Sequence, residues 1–142
     1  MIYIVDASVV VKWFIDEDYS DRADELLDDF SNGYVELVAP KTLMLEFCNA
    51  IRKYVVRGHL KRDLAGSYVK KMSEVPLDFV EIDWKIVKKA YSEALKLGIT
   101  VYDAIYVVIA EEKNGVIITA DDRLYRQLKK HTKIIHIKDY QK

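Results

Sequence analysis

A single cysteine, two prolines and five glycines are all that this chain of 142 residues has for stapling, kinking or loosening its backbone. One thiol, Cys48, rules out a disulfide framework. The three histidines, His59, His131 and His136, show no ligand spacing, so no Cys/His cluster exists to hold structural zinc. No stretch approaches the roughly 20 apolar residues of a membrane span. The apolar opening Ile2-Tyr-Ile-Val5 is closed at once by Asp6, too short for a signal segment, so the expectation is a soluble, cytoplasmic protein. Nor does one sign of charge prevail. With 22 Lys and Arg against 23 Asp and Glu, the chain cannot bind nucleic acid by bulk charge. What is present describes a globular protein: 51% hydrophobic and 32% charged residues, at a length suited to one domain over residues 1–142.

Short apolar runs alternate with longer amphipathic ones. Strands are expected at 2–5, 34–39 (stopped by Pro40), 79–82, 116–119 and 133–137, where apolar residues cluster without helical spacing. Helices are expected at 7–15, 20–30, 42–57, 61–73, 84–97, 101–113 and 122–130, with Gly58 and Gly98 just past two of their ends. Strands separated by helices of this length need crossover connections. The expected fold is therefore α/β, three layers (α/β/α) around a mostly parallel central sheet. Ligands of such sheets sit beyond the carboxyl ends of the strands, where the winding direction switches.

Acids stand at that edge. Asp6 ends the first strand, Asp83 follows the third, and Asp121 and Asp122 follow the fourth. An Asp between strand and helix also caps the free N–H groups of the helix, and each of these has that second reading. Glu46 is different: on the 42–57 helix it stands one turn from Leu43 and Ala50, at the margin of the apolar stripe Leu43, Phe47, Ala50, Tyr54. Such a side chain can also snorkel out to solvent. Asn49, three residues on, is placed to partner it. Asp103 is the lone charge in Val101-Tyr-Asp-Ala-Ile-Tyr-Val-Val-Ile-Ala110, a segment apolar almost all round. Thr100-Val-Tyr-Asp103 also fits a capping box, and one carboxylate can cap and ligate together. Asp6, Glu46, Asp103 and Asp121 come from four elements that a parallel sheet can bring to one edge. Their repulsion there calls for a proton or a cation. All-oxygen donors suit Mg²⁺ or Mn²⁺ rather than zinc, and the implied chemistry is metal-dependent hydrolysis of a phosphodiester.

The same residues carry a family likeness. Ile4-Val-Asp6-Ala-Ser8-Val-Val-Val-Lys12-Trp-Phe resembles the opening motif of PIN-domain nucleases, VapC-like toxins above all. The likeness continues in order through Pro40-x-x-Leu43-x-x-Glu46-x-x-Asn49-Ala50, then Leu97-Gly-Ile-Thr-Val-Tyr-Asp103-Ala-Ile-Tyr106, and closes with Ile118-Thr119-Ala-Asp121-Asp122-Arg123-Leu124. The resemblance implies a PIN-like fold and an endoribonuclease dependent on Mg²⁺ or Mn²⁺. Its four acids fall on Asp6, Glu46, Asp103 and Asp121, as catalytic and metal-binding residues. Ser8, Asn49 and Thr119 match supporting positions, and Asp122 falls outside the ligand set. The toxin branch further implies a homodimer and a small antitoxin that lays a helix in a groove and reaches the acids with a basic side chain.

An RNA substrate reopens the question of charge, since setting the four acids aside turns the net charge of −1 into +3. Lys12, Arg52, Lys53, Arg57, Lys61, Arg62, Arg123 and Arg126 are candidates for phosphate contacts. Tyr102 and Tyr106 could stack bases but read first as core on their apolar helix, as does Trp13. Three other functions compete. A phosphorylation receiver would use Asp83, Thr119 and Lys138, but it needs an acidic pair where Asp6 is followed by Ala7. The others are a non-catalytic PIN-like binding module and a stand-alone RNA-processing nuclease without an antitoxin.

Overall fold

A computed structural model describes residues 1–141. The chain runs β1 (Ile2–Val5), α1 (Ala7–Val10), α2 (Ser20–Ser31), β2 (Glu36–Pro40), α3 (Leu43–Val56), α4 (Arg62–Ser73), β3 (Asp78–Val80), α5 (Trp84–Leu97), α6 (Val101–Lys113), β4 (Val116–Thr119), α7 (Asp122–Leu128) and β5 (Ile134–His136). Short 3₁₀ turns follow α1 and β5. The five strands lie in the order β3-β2-β1-β4-β5, and every pairing is parallel.

Ile4 and Val5 of the central strand are fully buried, and they belong to two separate cores because successive side chains point to opposite faces. Val5 joins the core built with α1, α2 and α3, including Val9, Leu26, Leu43 and Phe47. Ile4 joins Ile86, Ala90, Ile117, Leu124 and the continuous buried run Ala104–Ala110 contributed by α5, α6, β4 and α7. The expected three-layer α/β/α arrangement is what the structure shows. Two departures are local. The 7–15 segment is a single α-turn that tightens into a 3₁₀ turn at Val11–Trp13, where the β-branched Val9, Val10 and Val11 disfavour a longer α-helix. β2 includes Pro40 instead of stopping before it, because a strand's last residue can forgo its N–H and the following Lys41 N–H donates to Val80 O at 3.0 Å.

The winding sets the site. From β1 the chain moves outward through β2 to β3, then returns to lay β4 on the other side of β1. The switch thus lies between the carboxyl ends of β1 and β4. Gly115 makes that pairing possible: a Cβ there would stand 3.0 Å from Ile2 O and 3.1 Å from Ile4 Cδ1. Gly98 serves differently, ending α5 in the left-handed region at φ 68°.

Candidate active site

Asp6, the residue after β1, is 8% exposed, and both of its hydroxyl partners bind one oxygen. Ser8 Oγ donates to Oδ2 at 2.7 Å and Thr119 Oγ1 donates to the same atom at 2.8 Å. The two hydroxyls are fixed in turn, since Ser8 Oγ accepts from Ala120 N–H at 2.9 Å and Thr119 Oγ1 from Asp121 N–H at 3.0 Å. A chain of hydrogen bonds therefore ties the end of β1 to the end of β4 across the switch. Burial pushes the Asp6 carboxyl above its ordinary range. The hydroxyls oppose that shift, and the charge of Asp121 adds to it.

Glu46 faces this pair from the first turn of α3. Leu43, Phe47 and Ile51 of that helix are buried, while Glu46 lies half-buried at the margin of their stripe. Tyr106, 2% exposed on α6, donates its hydroxyl to Glu46 Oε1 at 3.3 Å, and the Thr42 side chain is a second partner. Burial first, then repulsion by Asp6 and Asp103, pushes the Glu46 carboxyl up to about 7. Burial and the charges of Asp6, Glu46 and Asp103 push the Tyr106 phenol well above its ordinary value, so it stays neutral and able to donate.

Asp103 stands in the first turn of α6. Thr100 caps that helix, its Oγ1 accepting from Asp103 N–H at 3.1 Å, and the Asp103 carboxylate is turned toward the other acids. Asp103 Oδ2 is buried and has no hydrogen-bond partner. The nearest cation is Arg123, whose Nη2 lies 3.6 Å from that oxygen and 4.0 Å from Asp121 Oδ2, an ion-pair range without a hydrogen bond. Asp121 serves two purposes at once, its Oδ1 capping α7 by accepting from Leu124 N–H at 3.1 Å.

The four acids named from sequence thus gather at one edge, with Ser8 and Thr119 behind Asp6. Among the described residues, no three of His, Cys, Asp and Glu converge tightly enough to grip an ion as they stand. The acids face one another at the range of charge repulsion instead.

Other sequence expectations are redistributed. Asn49 is exposed and accepts from Arg52 Nε at 3.1 Å, so Glu46 takes its support from Tyr106 and Thr42 and not from Asn49. Tyr102 is 75% exposed because its position on α6 points away from the sheet, which corrects its reading as core. Trp13 is tied to the fold by Nε1–H donating to Ala23 O at 2.9 Å. Asp83 caps α5 by accepting from Ile86 N–H at 2.9 Å. Asp122 is exposed beside the buried His136, its Oδ1 2.9 Å from Nε2. His136 Nδ1 accepts from Lys138 N–H at 3.1 Å. Sequence reasoning missed Tyr106 as the partner of Glu46 and Arg123 as the neighbour of two acids. The signal was present in the spacing: Tyr106 is three residues from Asp103 on one helix face, and Arg123 opens the turn after Asp121.

The PIN domain family profile matches residues 3–130. Ribonuclease VapC3 of Pyrobaculum aerophilum is 31% identical over 122 residues, which cover 85% of this chain and 90% of the relative. Among solved structures, a toxin–antitoxin complex from Klebsiella pneumoniae superposes with a TM-score of 0.69 at 12% identity, covering 95% of this chain and 97% of that one. VapC20 of Mycobacterium tuberculosis, described as a toxin that cleaves the sarcin–ricin loop, gives a TM-score of 0.68 at 10% identity over 89% and 94% of the two chains. At such identities the two structures speak for the fold, while the profile and the VapC3 match speak for descent. By sequence, by fold and by the gathering of its acids, this chain belongs to the PIN-domain family, in its VapC-like branch.

Proposed function

We propose that the protein is a Mg²⁺- or Mn²⁺-dependent endoribonuclease that hydrolyses RNA phosphodiester bonds, and the toxin of a type II toxin–antitoxin pair. The observation that carries this reading is the convergence of Asp6, Glu46, Asp103 and Asp121 at the carboxyl edge of the sheet, close enough for their charges to act on one another and for Arg123 to stand within ion-pair range of two of them. The carboxylates of Asp6, Glu46 and Asp103 repel one another, which works against the fold. Similarity to Ribonuclease VapC3 supports the substrate class.

The donor set fits a hard divalent cation. It offers carboxylate oxygens without imidazole or thiolate, and among them the buried Oδ2 of Asp103, which has no hydrogen-bond partner. Asp6, Glu46, Asp103 and Asp121 would hold the ion. When bound, it supplies Lewis-acid polarisation of the phosphodiester and makes water a better nucleophile near neutral pH. The chain's own residues prepare for that state. Ser8 and Thr119 fix the Asp6 carboxylate in one orientation. Tyr106 holds Glu46 beside the other acids, and Glu46 gives up its proton as the pH passes about 7. Thr100 takes over the capping of α6, which leaves the Asp103 carboxylate for the site. Arg123 shields Asp103 and Asp121, and would give way to a stronger cation there.

An arginine fork beside these carboxylates also shows how a partner's basic side chain would silence them, consistent with the antitoxin reading. A helix from such a partner finds an apolar groove of about 270 Å³ between α3 and α4, lined by Met44, Phe47, Cys48 and Val69. The homodimer has a surface to cover in the exposed Trp84, Tyr91 and Leu95 of α5 and Tyr102 of α6.

The test is incubation of antitoxin-free protein with a panel of structured and single-stranded RNAs under Mg²⁺, Mn²⁺ or EDTA, beside Asp103→Asn. Cleavage that needs the metal and disappears in the variant is expected. Cleavage that persists in EDTA or in Asp103→Asn would contradict the assignment. A silent metal-loaded protein that still binds an antitoxin would favour the non-catalytic binding module.

A further inference from the structure

Beside Ser8, a cleft of about 380 Å³ opens between the turn after α1 and the last turns of α3. Lys12, Lys53 and Arg57 line it together with Glu17 and Tyr54, so three cations meet one carboxylate. The Lys12 side chain is only 9% exposed, although lysine is among the residues least often buried. Its Nζ contacts Glu17 Oε1 at 3.4 Å, a long bond for an ammonium group with three donors. Glu17 is shared besides, because its Oε2 accepts the Tyr54 hydroxyl. Lys53 and Arg57 are exposed, one helical turn apart, and form no ion pair among the described residues. Burying an incompletely paired ammonium is costly, and an anion arriving from solvent would offset that cost.

The cleft shares a wall with the acid site. Ser8 and Ala120 line it, and the same Ser8 hydroxyl donates to Asp6 and accepts from Ala120 N–H. From these contacts we infer that the cleft is a phosphate subsite, in which Lys12, Lys53 and Arg57 hold a backbone phosphate of the RNA strand next to the one presented to the acids. The inference rests on the ribonuclease reading and adds the place where the strand is gripped. Lys12 supplies a pre-positioned charge, held upright by Glu17. Lys53 and Arg57 close on the phosphate from the solvent side, and Arg57 can engage it with two donors. The device separates two tasks: the carboxylates repel an RNA strand, and this cleft supplies the attraction that keeps it in place.

The experiment measures binding of a fluorescein-labelled single-stranded RNA in EDTA across a salt series, for wild type, Lys12→Met, Arg57→Gln and Lys53→Gln. Each lost phosphate contact lowers the slope of log K against log salt by about 0.7 for a single strand. The expected result is a slope reduced by about that amount in Lys12→Met and in Arg57→Gln. In metal-supported cleavage, the same variants should show a raised KM with kcat little changed. Arg57→Gln and Lys53→Gln alter exposed side chains, so they remain informative if Lys12→Met fails to fold. If wild type binds and cleaves RNA while every variant keeps its slope and KM, the subsite is overturned and the ribonuclease reading stands. A lowered melting temperature in Lys12→Met with an unchanged slope in Arg57→Gln overturns it too, reducing Lys12 and Glu17 to a staple. Wild type that neither binds nor cleaves any RNA removes the ribonuclease reading and the subsite with it.

Discussion

At the scale of single residues, Glu46 gives the most direct link between stability and function. Its folded value near 7 lies above the ordinary 4.5, so the native state holds this proton more tightly than the unfolded chain does. In the absence of metal, the contribution of Glu46 is fully present below about 4.5 and is lost as the pH rises through about 7. Glu46→Gln keeps position 46 neutral at every pH. In EDTA at pH 8 the variant should therefore be more stable than wild type, by about 1–2 kcal/mol once solvent screening of a half-buried group is allowed for. That corresponds to a melting temperature higher by about 3–8 °C, with the gap closing toward pH 4. Calorimetry at the two pH values checks it, and equal melting temperatures at pH 8 would mean that the acids do not repel as described. With Mn²⁺ present the order should reverse, because the glutamine has lost a ligand.

Arg123 makes a second residue-scale case. Its ion pairs with Asp103 and Asp121 are solvent-exposed on the arginine side, so they contribute no more than about 1 kcal/mol. Arg123→Ala should accordingly tighten Mn²⁺ binding by at most about fivefold in a calorimetric titration. Weaker Mn²⁺ binding in the variant would show that Arg123 supports the loaded site and does not compete for it.

At the scale of elements, much of the site was legible because strong patterns coincided. Asp103 was conspicuous as one charge in an otherwise apolar helix, and α6 is indeed buried from Ala104 to Ala110. Glu46 was conspicuous because α3 has a narrow buried stripe with the acid at its margin. Spacing along a helix fixes which residues share a face but not which neighbouring element meets it. Spacing therefore points to Asn49 as the partner of Glu46, whereas the hydroxyl comes from Tyr106 on another helix. The contraction at Val11–Trp13 was hidden for a related reason. Periodicity registers apolar positions but is blind to the choice between an α-turn and a 3₁₀ turn over so short a segment. Gly115 offers a test of how elements are joined. Gly115→Ala puts a methyl group 3.0 Å from the backbone oxygen of Ile2, which must shift β1 or the turn into β4. Such overpacking should cost about 1–3 kcal/mol in urea denaturation. Because β1 and β4 carry Asp6 and Thr119, the variant should also lose cleavage at a temperature where it remains folded. An unchanged midpoint would show that the β1–β4 pairing tolerates more slack than the contact distances imply.

At the scale of the whole molecule, the winding of the sheet turns distant residues into neighbours. Asp6 and Thr119 are 113 positions apart in sequence and bonded at 2.8 Å, because β4 returns to the side of β1 that β2 leaves free. The alternation of strands and helices made the layers legible in advance, and the rule for parallel sheets pointed to the edge where the four acids stand. The spacing of the acids was not legible, since the distance between carboxylates depends on side-chain orientation and on Arg123. The same whole-molecule view accounts for the near-zero net charge. Acids concentrated at the switch coexist with a basic cleft one wall away, so the sum conceals a separation that suits a nuclease of acidic substrates.

The central claim is that Asp6, Glu46, Asp103 and Asp121 form one site for a divalent cation. Calorimetric titration of Mn²⁺ into wild type and Asp103→Asn, at pH 8 and at pH 6, tests it most directly. The account requires saturable binding with proton release by wild type, weakening by about tenfold or more at pH 6 as Glu46 takes up its proton. It also requires binding to be lost or greatly weakened in Asp103→Asn at both pH values. Mn²⁺ binding with equal affinity at the two pH values, undiminished in Asp103→Asn, would contradict it.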